Sequence, residues 1–148
     1  MQIEIDQSGR IEYTNKTTAI AFSNSKNRTI IISSSEKIKL QKYFRQKNRR
    51  RMFVYWTFAI LIYLLIKNER KIRQIIIDTE YIGQDALIKG LLTNLIHIDK
   101  KTIMFKSIGK KSPAHDLAIK AYRIKRADIR VTAQDIINVL TTKKPGVL

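Results

Sequence analysis

The chain has 148 residues and an apolar fraction of 44%, enough for one domain with a hydrophobic core. It carries 29 Lys and Arg against 12 Asp and Glu, a net charge of +17, and such an excess predicts a polyanionic partner, above all nucleic acid. Cysteine is absent, which excludes disulfides, thiolate zinc sites and cysteine nucleophiles. The lack of disulfides favours an intracellular protein, and we expect a cytoplasmic one.

The first third of the chain has the patterns of β-strands. The three predicted strands cover residues 2–6, residues 10–13 continuing over 17–23, and residues 28–33. In the first strand Ile3 and Ile5 share one face and Asp6 lies on the other. Ser8-Gly9 is a turn signal. Three strands joined by short turns predict an antiparallel meander.

The middle of the chain joins a basic segment to an apolar one. Residues 36–51 predict a helix with many Lys and Arg and no acid after Glu36, and residues 52–66 are almost entirely apolar. A membrane span needs about 20 apolar residues, so we expect 52–66 to be a helix buried against the sheet. A dimer interface on the same aromatic surface and a membrane span flanked by Arg49–Arg51 are the alternatives.

The last part of the chain alternates strands and helices. Strands are predicted over 74–78 and 102–105, and helices over 85–96, from Pro113 with Ser112 as its cap, and over 133–140. This order predicts an α/β fold in which three antiparallel strands lead into strands joined by helical crossovers, with helices on the faces of a mixed sheet. We expect one domain over 1–140 and a flexible tail over 141–148.

Acids that fall at the ends of these elements are the candidates for chemistry. Asp6 closes the first strand, Asp78 closes the fourth and is followed by Glu80, and Asp116 lies in the first turn of the helix that begins at Pro113. Neighbouring strands lie about 4.8 Å apart, so Asp6 and Asp78 meet if their strands pair. Such a cluster repels itself without a cation, and Mg²⁺ prefers carboxylate oxygens. For each acid alone, a turn or helix-dipole role is the alternative.

Three short segments resemble the ribonuclease-H-like superfamily. Asp6–Gly9 is similar to the Asp-x-Ser-Gly opening of several of its branches, and Ile75–Asp78 resembles its fourth strand with a terminal acid. Ser112–Ala118 is similar to the segment in which the last catalytic Asp opens a helix. The resemblance covers about residues 2–126.

The resemblance implies a ribonuclease-H-like nuclease or junction resolvase that binds two Mg²⁺ or Mn²⁺ ions and hydrolyses phosphodiester bonds in DNA or RNA. It makes Asp6, Asp78 and Asp116 metal ligands. By the same resemblance we expect Glu80 to be a further catalytic acid, standing in for one that the family often carries in its first helix, where this chain is basic. This departure keeps a non-catalytic nucleic-acid-binding protein or ribonucleoprotein subunit as the alternative function.

Phosphate contacts are predicted from two basic stretches of the chain. The candidate nucleic-acid-binding residues are Lys42, Arg45, Lys47, Arg49, Arg50, Arg51, Lys110, Lys111, Arg123 and Arg126. For each of them a solvated surface charge is the alternative. His115 is a candidate proton carrier or ligand, with a packing role as its alternative. We expect nucleic acid as the partner and no membrane association, and leave a homodimer open.

Overall fold

The computed structural model describes residues 1–144, and six of its strands form one mixed sheet. The strands are β1 (Gln2–Ser8), β2 (Thr18–Ser23), β3 (Asn27–Ile32), β4 (Gln74–Asp78), β5 (Ile103–Lys106) and β6 (Ile129–Val131). They lie in the order β5-β4-β1-β2-β3-β6. The pairs β1–β2 and β2–β3 are antiparallel, whereas β1–β4, β4–β5 and β3–β6 are parallel. The predicted α/β class, meander and mixed sheet are confirmed.

Within the described part of the chain, five helices connect or follow these strands. They are α1 (Ser34–Gln46), α2 (Phe53–Ile66), α3 (Asp85–Ile96), α4 (Pro113–Ile124) and α5 (Ala133–Lys143), with 3₁₀ turns at Arg50–Met52 and Lys100–Thr102. The starts of α4 and α5 are capped by the side chains that the sequence predicts. The hydroxyl of Ser112 accepts from the backbone N–H of Ala114 with Pro113 in the first turn, and Thr132 and Asp135 form a capping box.

The alternation of side chains along the strands divides the core between the two faces of the sheet. Ile3 and Ile5 belong to the larger hydrophobic cluster, which includes side chains of α1, α2, α3 and α5. Ala19 and Ile31 face the other way and pack with Ala121 of α4. Because side chains alternate with period two, Asp6 lies on the face that α4 covers.

The apolar segment is a buried helix, as predicted. Helix α2 has 14 residues, and its Trp56 and Ile60 side chains are buried while Leu64 is half-buried. Across residues 1–144, no helix combines the length and the apolar character needed to cross a bilayer.

Some element boundaries were predicted wrongly. Residues 10–13 form a turn, closed by the Tyr13 N–H donating to the Arg10 carbonyl, rather than part of β2. The basic helix ends at Gln46, since the chain reverses at Asn48, which has a left-handed φ of 57°. Strand β6 was not predicted. Residues 141–143, expected in a flexible tail, belong to α5, and 145–148 lie outside the described residues.

Candidate metal centre at the ends of β1 and β4

Two of the predicted acids meet because their strands are parallel neighbours. The register pairs Ile3 with Ile75 and Ile5 with Ile77, so the next position places Asp6 beside Asp78. Both side chains then lie on the face of the sheet that α4 covers. The prediction that Asp6 and Asp78 share one end of the sheet is confirmed.

A third carboxylate joins them from the turn after β4. Asp6, Asp78 and Glu80 each offer an oxygen, and these atoms lie within 4.8 Å of one another. The backbone N–H of Gln7 donates to Oδ1 of Asp6 at 2.8 Å, and that of Ile108 donates to Oδ1 of Asp78 at 2.8 Å. The second bond ties the loop after β5 to the cluster. Both bonds restrict how the carboxylates rotate.

The cluster is short of positive charge at its centre. Burial, together with the nearby Asp78 and Asp6 carboxylates, raises the pKa of Glu80 to about 8. Burial also raises the pKa of Asp6, against the lowering effect of its hydrogen bonds with His115 and Gln7. Three ionised carboxylates this close are therefore unfavourable without a cation. An all-oxygen donor set of this kind fits Mg²⁺ or Mn²⁺.

Helix α4 contributes His115 to the site, not Asp116. Nδ1 of His115 lies 2.8 Å from Oδ2 of Asp6, whereas Asp116 is exposed and is not among the clustered acids. Ala114, Ala118 and Ala121 are the buried residues of this helix and face the sheet. At 100° per residue, position 116 points about 200° away from Ala114.

The prediction that Asp116 is a metal ligand and catalytic acid in this cluster is therefore wrong. The pattern of alanines in α4 could have corrected this prediction. Small residues at positions 114, 118 and 121 mark the side of the helix that approaches the sheet most closely, and His115 borders that side while Asp116 does not.

Tyr81 supports the turn that carries Glu80, although no pattern in the sequence pointed to this role. Its hydroxyl accepts from Nε2 of Gln7 at 3.1 Å and from the backbone N–H of Ile11 at 3.3 Å. The guanidinium of Arg10 lies 4.8 Å above its ring centre. The residue after Glu80 is thus anchored to the segment that follows Asp6. Burial raises the pKa of this phenol, so it stays neutral as a donor and acceptor.

The predicted basic residues fall into three groups. Lys110 and Lys111 are exposed in the loop before α4, at the same end of the sheet as the acids. Arg123 and Arg126 are exposed at the far end of α4, two turns or more beyond His115. The remaining residues, Lys42, Arg45, Lys47, Arg49, Arg50 and Arg51, are exposed along α1 and the turn after it. Lys106, which sequence reasoning missed, pairs with Asp78 in the sheet register.

Comparison with known proteins identifies no relative. No protein-family model, no curated protein and no solved structure matches the chain. Three converging carboxylates, an adjacent imidazole and flanking lysines suit the binding of a divalent cation next to a phosphate group.

Proposed function

We propose that the protein is a metal-dependent nuclease of ribonuclease-H-like architecture that hydrolyses phosphodiester bonds in DNA or RNA. The observation that carries the proposal is the convergence of Asp6, Asp78 and Glu80 within 4.8 Å. The mixed sheet, with its antiparallel β1-β2-β3 and its parallel β1-β4-β5, agrees with what the sequence resemblance implies.

The three carboxylates would hold the divalent ions, two in number by the resemblance. When bound, such ions supply an activated water and stabilise the leaving oxygen of a phosphodiester. His115 holds the Asp6 carboxylate in one orientation through its 2.8 Å contact. Lys106, Lys110 and Lys111 are exposed around the same end of the sheet and attract the substrate backbone.

Cleavage assays test the proposal directly. Labelled single-stranded, duplex, hybrid and four-way-junction substrates are incubated with Mg²⁺, Mn²⁺ or EDTA. We expect cleavage that requires the divalent ion and that Asp6→Asn or Glu80→Gln abolishes. Asp116→Asn removes the same kind of charge from an exposed position outside the cluster, and this variant is expected to cleave like the wild type.

A non-catalytic nucleic-acid-binding protein is the second candidate, favoured by the net charge of +17 alone. It predicts binding to the same substrates with no cleavage by the wild type under any metal condition. Cleavage that persists in Asp6→Asn would also contradict the proposed site, since it would place the activity elsewhere or in a contaminant.

A further inference from the structure

An arginine-lined cavity lies where α1 passes into α2, apart from the acid cluster. Its volume is about 580 Å³, and it is lined by Arg45, Asn48, Arg49, Arg50, Arg51 and Met52. The chain reversal builds it. Asn48 takes a left-handed φ of 57°, and the Arg49 N–H donates to the Phe44 carbonyl at 2.8 Å, which closes the turn.

This cavity has no acidic counterpart nearby in the chain. Residues 37–68 contain no Asp or Glu. Every ion pair within residues 1–144 is formed by a Lys, Arg or His outside the cavity, so none of the four lining arginines has a carboxylate partner. Arginine stays charged at all relevant pH values. Four unpaired guanidinium groups around one cavity favour an anion, and phosphate matches their forked donors best.

The cavity lies at the same end of the sheet as the acids. The ring of Tyr55, in the first turn of α2, lies 5.8 Å from the ring of Tyr81. Tyr81 follows Glu80 and hydrogen-bonds to Gln7, next to Asp6. Residues 50–52 form the turn immediately before α2, so the arginines lie about one to two helical turns from this contact. One strand of nucleic acid is long enough to cover both places.

We propose that this cavity is a second phosphate site, which holds the backbone of the same nucleic acid a few nucleotides away from the acid cluster. The choice of ligand rests on the proposed function. The volume of about 580 Å³ is larger than one phosphate group needs, which favours consecutive phosphates of a polynucleotide over a free phosphate ion.

Binding of labelled oligonucleotides to the full chain in EDTA tests the site without requiring cleavage. We expect Arg49→Ala/Arg50→Ala/Arg51→Ala to weaken binding of 20-nucleotide strands on the order of tenfold or more. For this triple variant, the slope of log affinity against log salt concentration should be shallower by about 2. Each phosphate contact on a single strand contributes about 0.7 to that slope, and three arginines are replaced.

A matched triple variant controls for the loss of charge. Lys67, Arg70 and Arg73 are exposed in the segment before β4, at the opposite end of the sheet from the acids. Replacing all three by Ala removes the same charge, and we expect less than about a threefold loss, because most unpaired surface charges act only through the screened overall field. Circular dichroism and thermal unfolding establish that both variants are folded.

Two results would overturn the second site. One is an equal loss of affinity in both triple variants. The other is binding of phosphatidylserine vesicles through these arginines while oligonucleotide binding is unchanged, which would assign the cavity to a membrane surface. Failure of the nuclease proposal looks different. The wild type would then not cleave, while the larger loss of binding in the arginine variant would remain.

Discussion

Nδ1 of His115 on α4 and Oδ2 of Asp6 on β1 lie 2.8 Å apart, although 109 positions separate them in the chain. The Asp6 side chain is 4% exposed and that of His115 is 25% exposed. With Asp6 ionised, the imidazole donates from Nδ1 and fixes the carboxylate in the position where it faces Asp78 and Glu80. His115 is therefore a positioning residue of the proposed metal centre.

Removing this contact should weaken metal binding without unfolding the chain. Groups that orient metal ligands typically contribute about 10- to 100-fold to metal affinity. We expect His115→Ala to raise the Mn²⁺ concentration needed for half-maximal thermal stabilisation by about tenfold, and Asp116→Ala to leave it unchanged. The measurement is the melting temperature over a Mn²⁺ titration. Equal effects of the two substitutions would contradict a specific role for His115.

Lys37 is a buried cation that ties α1 to the loop after β1. It is 0% exposed, and its Nζ donates to the carbonyls of Arg10 at 3.2 Å and Tyr13 at 2.8 Å and to Oγ1 of Thr18 at 3.0 Å. Burial lowers the pKa of Lys37 from its ordinary 10.5 to about 8. Between these two values the unfolded chain binds a proton that the folded chain does not.

Stability should therefore rise with pH in that window through this residue. We expect the free energy of unfolding of the wild type, relative to Lys37→Met, to increase between pH 8 and 10.5 by up to about 1.4 kcal/mol per pH unit. Urea unfolding across this range measures it. Lys42→Met, at an exposed position of the same helix, serves as the control and should run parallel to the wild type. A wild type that loses stability relative to Lys37→Met as pH rises would refute the assignment.

Gly9, at the end of β1, tolerates no side chain. It has a φ of +78°, and a Cβ there would lie 2.2 Å from the Thr17 carbonyl oxygen and 2.6 Å from the Tyr122 ring. Because the oxygen belongs to the backbone, the clash cannot be relieved by a rotamer change. We expect Gly9→Ala to lower the free energy of unfolding by at least about 2 kcal/mol.

Two other glycines show how much of the effect at Gly9 comes from the steric clash and how much from its positive φ. Gly83 has a φ of +82° with open space around it, and helical Gly90 also has open space. In chemical denaturation, Gly83→Ala should lower the free energy of unfolding by about 1 kcal/mol. Gly90→Ala should raise it by roughly 0.5–1 kcal/mol. A Gly9→Ala variant no less stable than Gly83→Ala would mean that Thr17 and Tyr122 move aside freely.

The side-chain hydroxyl of Thr57 in α2 is unfavourable for the stability of the fold. Its Oγ1 is buried and has no hydrogen-bond partner among residues 1–144. Thr57→Val keeps the shape and removes the unpaired hydroxyl, so we expect a gain of roughly 1 kcal/mol in the free energy of unfolding. In Thr93→Val the hydroxyl that donates to the Gly90 carbonyl at 2.9 Å is lost, and no gain is expected. Thermal and urea unfolding compare the two, and a gain in both would exclude the unpaired hydroxyl as the cause.

The sequence by itself determined which acids stand at the ends of β1 and β4 and on which face. Strand alternation has a period of two, so Ile3 and Ile5 on one face place Asp6 on the other without further information. The apolar character of residues 52–66 likewise predicted a buried helix, since a segment that apolar needs cover on all sides. The mixed sheet followed from the order of strand and helix patterns.

Only the tertiary structure decided which residue of α4 meets Asp6. The rotation of a helix about its axis depends on what it packs against, and here the small side chains of Ala114, Ala118 and Ala121 set it, which brings in His115 and leaves Asp116 in solvent. The approach of Glu80 to Asp6 depends in the same way on contacts between segments distant in the chain. Such contacts have no local pattern, because packing, not periodicity, selects them.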